Sequence, residues 1–80
     1  METSFEEQFE GLLETYCELL TAKQDPETLE KVKIWSLYNH MHKTMPHLTA
    51  HWAKEHPEGK QAIRAIFEEI KQLNEAVRKG

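Results

Sequence analysis

With 80 residues, 30% of them charged and 39% hydrophobic in type, and a net charge of −4, the chain has the balance of a globular domain and not of a disordered segment. It is long enough for one hydrophobic core and too short for two. Residues 1–80 are therefore read as a single helical domain that buries roughly 60% of the surface its unfolded chain exposes. No apolar run nears the roughly 18 residues of a membrane span, so no membrane-crossing helix is expected. The opening residues are acidic and polar (Glu2, Glu6, Glu7), unlike a secretory signal. Cys17 stands alone and can form no internal disulfide, and together these features point to the reducing cytoplasm.

The first helix is predicted over Ser4–Ala22. Ser4 can cap it with Glu7 three residues on, and Glu6, Glu7, Glu10 and Glu14 suit the positive end of the helix dipole. Phe5, Phe9, Leu12, Leu13, Tyr16, Leu19 and Leu20 recur at steps of four and three, forming one apolar stripe. Gly11 lies off the stripe and costs about 1 kcal/mol relative to alanine. Asp25-Pro26 makes the first break, with Asp25 as N-cap and Pro26 in the first helical position. The second helix is predicted from Pro26 to about Met45. Ile34, Leu37, Tyr38, Met41 and Met45 form its main face, while Leu29, Val32 and Trp35 fall outside it. Such a helix is apolar on more than one side, so it either sits centrally between two others or meets another chain.

Pro46 disfavours helical geometry at the residue before it, which ends the second helix near Thr44 or kinks it. Thr44 is positioned to cap a short third helix through His47, Leu48, His51, Trp52 and Ala53. His56-Pro57-Glu58-Gly59 is the next break, and the last helix is predicted over Glu58–Arg78 with Ile63, Ile66, Phe67, Ile70, Leu73 and Val77 as its stripe. The expected architecture is all-α: a three-helix up-down-up bundle with a short extra helix between the second and last long helices.

Charge is unevenly spread. Residues 1–30 carry nine acids against Lys23. Residues 31–64 carry six bases against Glu55 and Glu58, and all five histidines. Two readings fit this pattern: an acidic first helix packed beside a basic middle segment, or a basic face for an acidic partner. Among the histidines, His47 and His51 are four apart and would share one face of the short helix, a spacing able to hold a transition metal. His40, His42, His56 and Cys17 are further candidate ligands. Against a metal, the chain has neither HExxH nor CxxC, and His47 directly follows a proline. Protonation below about pH 6 would raise the middle segment from +4 towards +9, so pH sensing is a related possibility.

Catalysis has little support. Cys17 lies one step off the first apolar stripe and precedes Glu18, whose charge disfavours a thiolate, so a core cysteine is the expected role. Ser4 and Ser36 have no nucleophile context, and isolated Gly11 and Gly59 build no phosphate-cradling loop. No enzyme activity and no cofactor are expected. Lys31, Lys33, Lys43, Lys54, Lys60 and Arg64, with Trp35, Tyr38 and Trp52, could form a weak nucleic-acid-binding surface. The acidic whole chain and a short helix poor in base-reading side chains argue against one.

The leading class is protein–protein association, with another protein or with a second copy of the chain. Val32 and Trp35 lie away from the main face of the second helix, and Trp52 sits on a short helix with limited core capacity, so these three are the expected contact residues. The alternative is that both tryptophans complete the chain's own core.

The stretches Phe5–Glu14 and Lys31–His40, then Met45-Pro46 and His51-Trp52, resemble a family of short uncharacterised proteins from Bacilli, of the YusU type. The resemblance covers nearly the whole chain. It implies a cytoplasmic bacterial protein and carries no catalytic or binding residues with it. The function expected is a small non-enzymatic helical interaction module. A metal- or ligand-responsive regulator built on His47 and His51 is the alternative.

Overall fold

All three helix junctions are built on the same dipeptide logic, a residue kept out of the helical region by the proline that follows it. The computed structural model describes residues 3–80. Within them the chain is all-helical, with no strand: α1 (Thr3–Thr21), α2 (Pro26–Thr44), α3 (Pro46–Glu55) and α4 (Pro57–Lys79). Each of the last three begins on its proline, whose missing amide hydrogen costs nothing in the first turn. Asp25, Met45 and His56, the residues before them, all leave the helical region, with ψ of 151°, 73° and 74°. Pro46 therefore ends α2 and does not kink it.

The caps differ in quality. Asp25 accepts from the Thr28 amide at 3.0 Å and from the Thr28 hydroxyl at 2.8 and 2.9 Å. These bonds hold its carboxyl below the usual carboxylate range, the hydroxyl contributing more than the amide. Met45 and His56 make no side-chain cap bond. Thr44 does not cap α3 as expected: its hydroxyl donates back to the His40 carbonyl at 2.9 Å, inside α2. Ser4 lies inside α1, which already starts at Thr3. α1 stops one residue short of the expected end because Ala22 takes φ 62°, a left-handed conformation that breaks the helix. A hydroxyl clasp secures that end. Thr21 Oγ1 donates to the Cys17 carbonyl at 2.7 Å and accepts from the Lys23 amide at 3.2 Å.

α2 and α4 each pack against every other helix, whereas α1 and α3 do not meet. α2 is central, and its Leu29, Val32 and Trp35 side serves that position, while Leu37, Met41 and Met45 stay exposed. The core is small. Cys17 of α1, Val32 of α2 and Ile70 of α4 are the fully buried hydrophobic residues, with Leu20, Leu29, Trp35 and Ile66 packed around them. Polar ties reinforce the helix pairs. Lys31 Nζ reaches both Glu69 carboxylate oxygens at 3.0 Å, joining α2 to α4, and its pKa is raised first by Glu69 and then by Glu27. Lys33 pairs with Glu10 at 3.4 Å between α2 and α1. Asn74 donates to the Leu20 carbonyl at 3.1 Å, fixing α4 against the end of α1.

The assembly of helices is flattened, 38 × 36 × 20 Å, with a radius of gyration of 14.3 Å. A compact 80-residue domain would have one of about 12 Å. The helices spread, and much apolar surface stays open as a result.

Candidate interaction surface

The first open surface lies along α1. At about 100° per residue, Leu13, Cys17 and Leu20 point one way and Phe5, Phe9, Leu12, Tyr16 and Leu19 point roughly 100° away. The first set meets α2 and α4. The second set is exposed from end to end, and Leu19 is 71% exposed. The two sets share one broad apolar arc in sequence, and the chain covers only half of it. Phe5 and Phe9 stack on one another with ring centres 6.2 Å apart, which extends the exposed apolar surface along the first turns.

The second open surface lies where α2 meets α3. Leu37, Met41, Met45 and Leu48 are exposed there. Ile34, Leu37, Met41, Leu48 and Trp52 line a shallow, almost wholly apolar groove of about 380 Å³. It abuts an aromatic cluster that ties α2, α3 and α4 together. Tyr38 meets Phe67 edge-on at 5.9 Å and Trp52 edge-on at 6.1 Å, and stacks on His42 at 6.4 Å. Trp35 meets Phe67 edge-on at 6.4 Å.

The three expected contact residues separate. Val32 is 0% exposed, enclosed between Cys17 and Ile70, and offers no surface to a partner. It falls outside the main face of α2 because a different face is the buried one. Trp35 is half-buried against the core and Phe67. Trp52 is 37% exposed, with one side of its ring taken by its own chain. Its indole lies over Gly59, where an added Cβ would come within 2.6 Å of the ring, and 5.6 Å from the His56 ring. Gly59 is thus the residue that admits Trp52. Gly11 admits nothing: a Cβ there would meet open space.

His47 and His51 are both exposed on α3. His51 Nε2 lies 2.9 Å from Glu55 Oε1, one turn on. His42 Nδ1 is 2.7 Å from Thr49 Oγ1, a buried hydroxyl that also donates to the Pro46 carbonyl, so this imidazole fastens α2 to α3. Among the described residues no three or more histidine, cysteine, aspartate or glutamate side chains converge as a metal site would require. Cys17 is buried as expected, its Sγ 3.3 Å from the Lys23 carbonyl. Lys60, Arg64 and Lys71 of α4 line one side of a wide cleft against Trp35 and Tyr38.

The family of uncharacterised proteins described as "Protein of unknown function (DUF2573)" matches residues 3–80. The chain belongs to this family. It is 49% identical over 78 residues to the uncharacterised protein YusU of Bacillus subtilis (strain 168), covering 98% of this chain and 82% of that protein. No solved structure matches it. No helix among the described residues is long and apolar enough to cross a membrane.

The sequence reads Phe5, Phe9, Leu12, Tyr16 and Leu19 as one stripe with Leu13 and Leu20, whereas the structure exposes the five and covers the two. A signal was present. These five keep a strict four-three-four-three spacing, while Leu13, Cys17 and Leu20 form a second set beside them. Cys17, one step off the visible stripe, marks the buried side.

Proposed function

We propose that this chain is a small, non-enzymatic helical module whose work is protein–protein association, and that its first partner is another copy of itself. The supporting observation is the imbalance between covered and uncovered apolar side chains. Three hydrophobic residues are fully buried among the described residues, while ten large ones, from Phe5 to Trp52, stay exposed in two continuous surfaces. Monomers seldom leave apolar patches beyond a few hundred Å² open to water, and a chain this short gains much of its missing burial by pairing.

The reading takes the three long helices as an up-down-up layer whose open sides are completed by a partner. Trp52 contributes at the rim of the second surface, where its ring is already oriented by Tyr38 and Gly59. The non-enzymatic part rests on the reactive groups themselves: the thiol of Cys17 is buried, and His47 and His51 are exposed on α3, His51 paired with Glu55. A lone thiol suits a reducing cytoplasm.

Sedimentation equilibrium of the intact chain from low to high micromolar concentration tests this. A mass that rises with concentration to twice 9.4 kDa is expected. A strict 9.4 kDa monomer throughout contradicts it.

A further inference from the structure

We infer that two copies pair through the outer face of α1, seam on seam and antiparallel, with Phe5, Phe9, Leu12, Tyr16 and Leu19 as the contact residues. The inference rests on the self-association reading and names its site. Of the two open surfaces, α1 alone carries a continuous seam along a whole helix. Its residues recur every 3.5 positions on average, the spacing that keeps one helix in register with another. Exposed from Phe5 to Leu19, the seam offers on the order of 500 Å² of apolar surface, taking roughly 150–250 Å² for a fully exposed aromatic side chain. Its flanks bring this towards the ~800 Å² per partner of a standard interface.

Charge selects the occupant. Glu7, Glu10, Glu14 and Glu18 fall on the side of α1 opposite the seam, while Gln8 and Thr15 border it on one side and Leu13 and Leu20 on the other. Glu6 is the one acid near it among the described residues of α1. A basic partner would find only Glu6 beside the apolar contact, whereas a second copy meets no like charge across it once the two Glu6 side chains are kept apart. An isologous contact needs a self-complementary patch, and a seam of aromatic and leucine side chains with neutral borders is one.

Charge also sets direction. Parallel pairing would bring Glu6 beside its own copy and align the two helix dipoles. Antiparallel pairing separates the two Glu6 side chains, turns each first turn towards the partner copy's Lys23 and opposes the dipoles.

Two arms test the proposal on the full chain. In sedimentation equilibrium, Leu12→Glu is expected to weaken the dimer by on the order of tenfold or more with its circular dichroism unchanged. Leu37→Glu, on the other open surface, is expected to leave it intact. If the wild type is itself monomeric, the self-association reading fails. If the wild type dimerises and Leu12→Glu dimerises equally well, that reading stands and the α1 site is overturned. For direction, Phe5→Cys and Leu19→Cys, each in a Cys17→Ala background, are joined with a maleimide cross-linker of ~8 Å reach. Cross-linking of the mixture but of neither variant alone supports antiparallel pairing. Cross-linking of each variant with itself overturns it.

Discussion

α1 and α4 are both amphipathic helices with one apolar arc, yet the protein treats them differently. Along α4, Ile63, Ile66, Phe67, Leu73 and Val77 are all at least half-buried and Ile70 is fully so. Along α1, only Leu13, Cys17 and Leu20 are covered, and the other five large side chains face water. The difference comes from neighbours. α4 has α1, α2 and α3 against it, while α1 has only α2 and α4, and the short α3 never reaches it. An apolar stripe of helical period shows that a helix will form and that it has a greasy side. The number of elements within reach decides how much of that side the chain itself can cover.

The largest effect that separates the two helices is a truncation on each. Ile70→Ala is expected to cost about 2–5 kcal/mol, because it opens a hole in a core of three fully buried side chains. In dilute solution, where no dimer contributes, Leu12→Ala should change stability by no more than about 0.5 kcal/mol, as exposed positions do. Urea unfolding followed by circular dichroism checks both. Similar costs for the two would erase the contrast.

The Asp25 cap comes next. Asp25→Ala removes the bonds to the Thr28 amide and hydroxyl and should lower the melting temperature by several degrees at neutral pH. Because the folded carboxyl titrates below its unfolded value of about 3.9, its contribution is complete above that pH and lost as pH falls through the folded value. The gap between wild type and variant should therefore close below about pH 4. A gap that persists in acid would mean that the cap's charge is immaterial.

Two small gains sharpen the picture of α1. Ala22→Gly should stabilise by about 0.5–1 kcal/mol, since glycine adopts a positive φ without the clash that a Cβ incurs. Gly11→Ala should stabilise by a similar amount, about 0.5–1 kcal/mol, because the site is helical and a Cβ there meets nothing. Thermal melts measure both. A loss at Gly11 would reveal a close contact on the acidic side of α1.

Much of the fold was legible because local chemistry fixes it. Pro26, Pro46 and Pro57 each start a helix, and Asp25 caps one as its side chain suggests. The 3.6-residue pattern locates every helix to within a residue or two of its ends. The end of α1 was not legible: Ala22 has no sequence mark of a left-handed residue, and Thr21 and Lys23 complete the clasp only once the chain has turned. The candidate surface was read partly backwards. Val32 looked peripheral because Leu37, Met41 and Met45 define the stronger stripe of α2, but the smaller residue faces the crowded interior and the stripe faces out. Trp52 is 37% exposed because a ten-residue helix has too little breadth to enclose an indole. The split of the α1 arc into a covered and an open half is not legible, because a single chain's sequence does not say how many neighbours each helix will have.

A dilution series of amide spectra tests the central claim most directly, that the uncovered half of the α1 arc meets its own copy. On going from millimolar to low micromolar protein, the amides of Phe5, Phe9, Leu12, Tyr16 and Leu19 should shift together, while those of Ile66, Ile70 and Leu73 in α4 stay fixed. Shifts confined to α3 and the end of α2, or no shift anywhere, would contradict it.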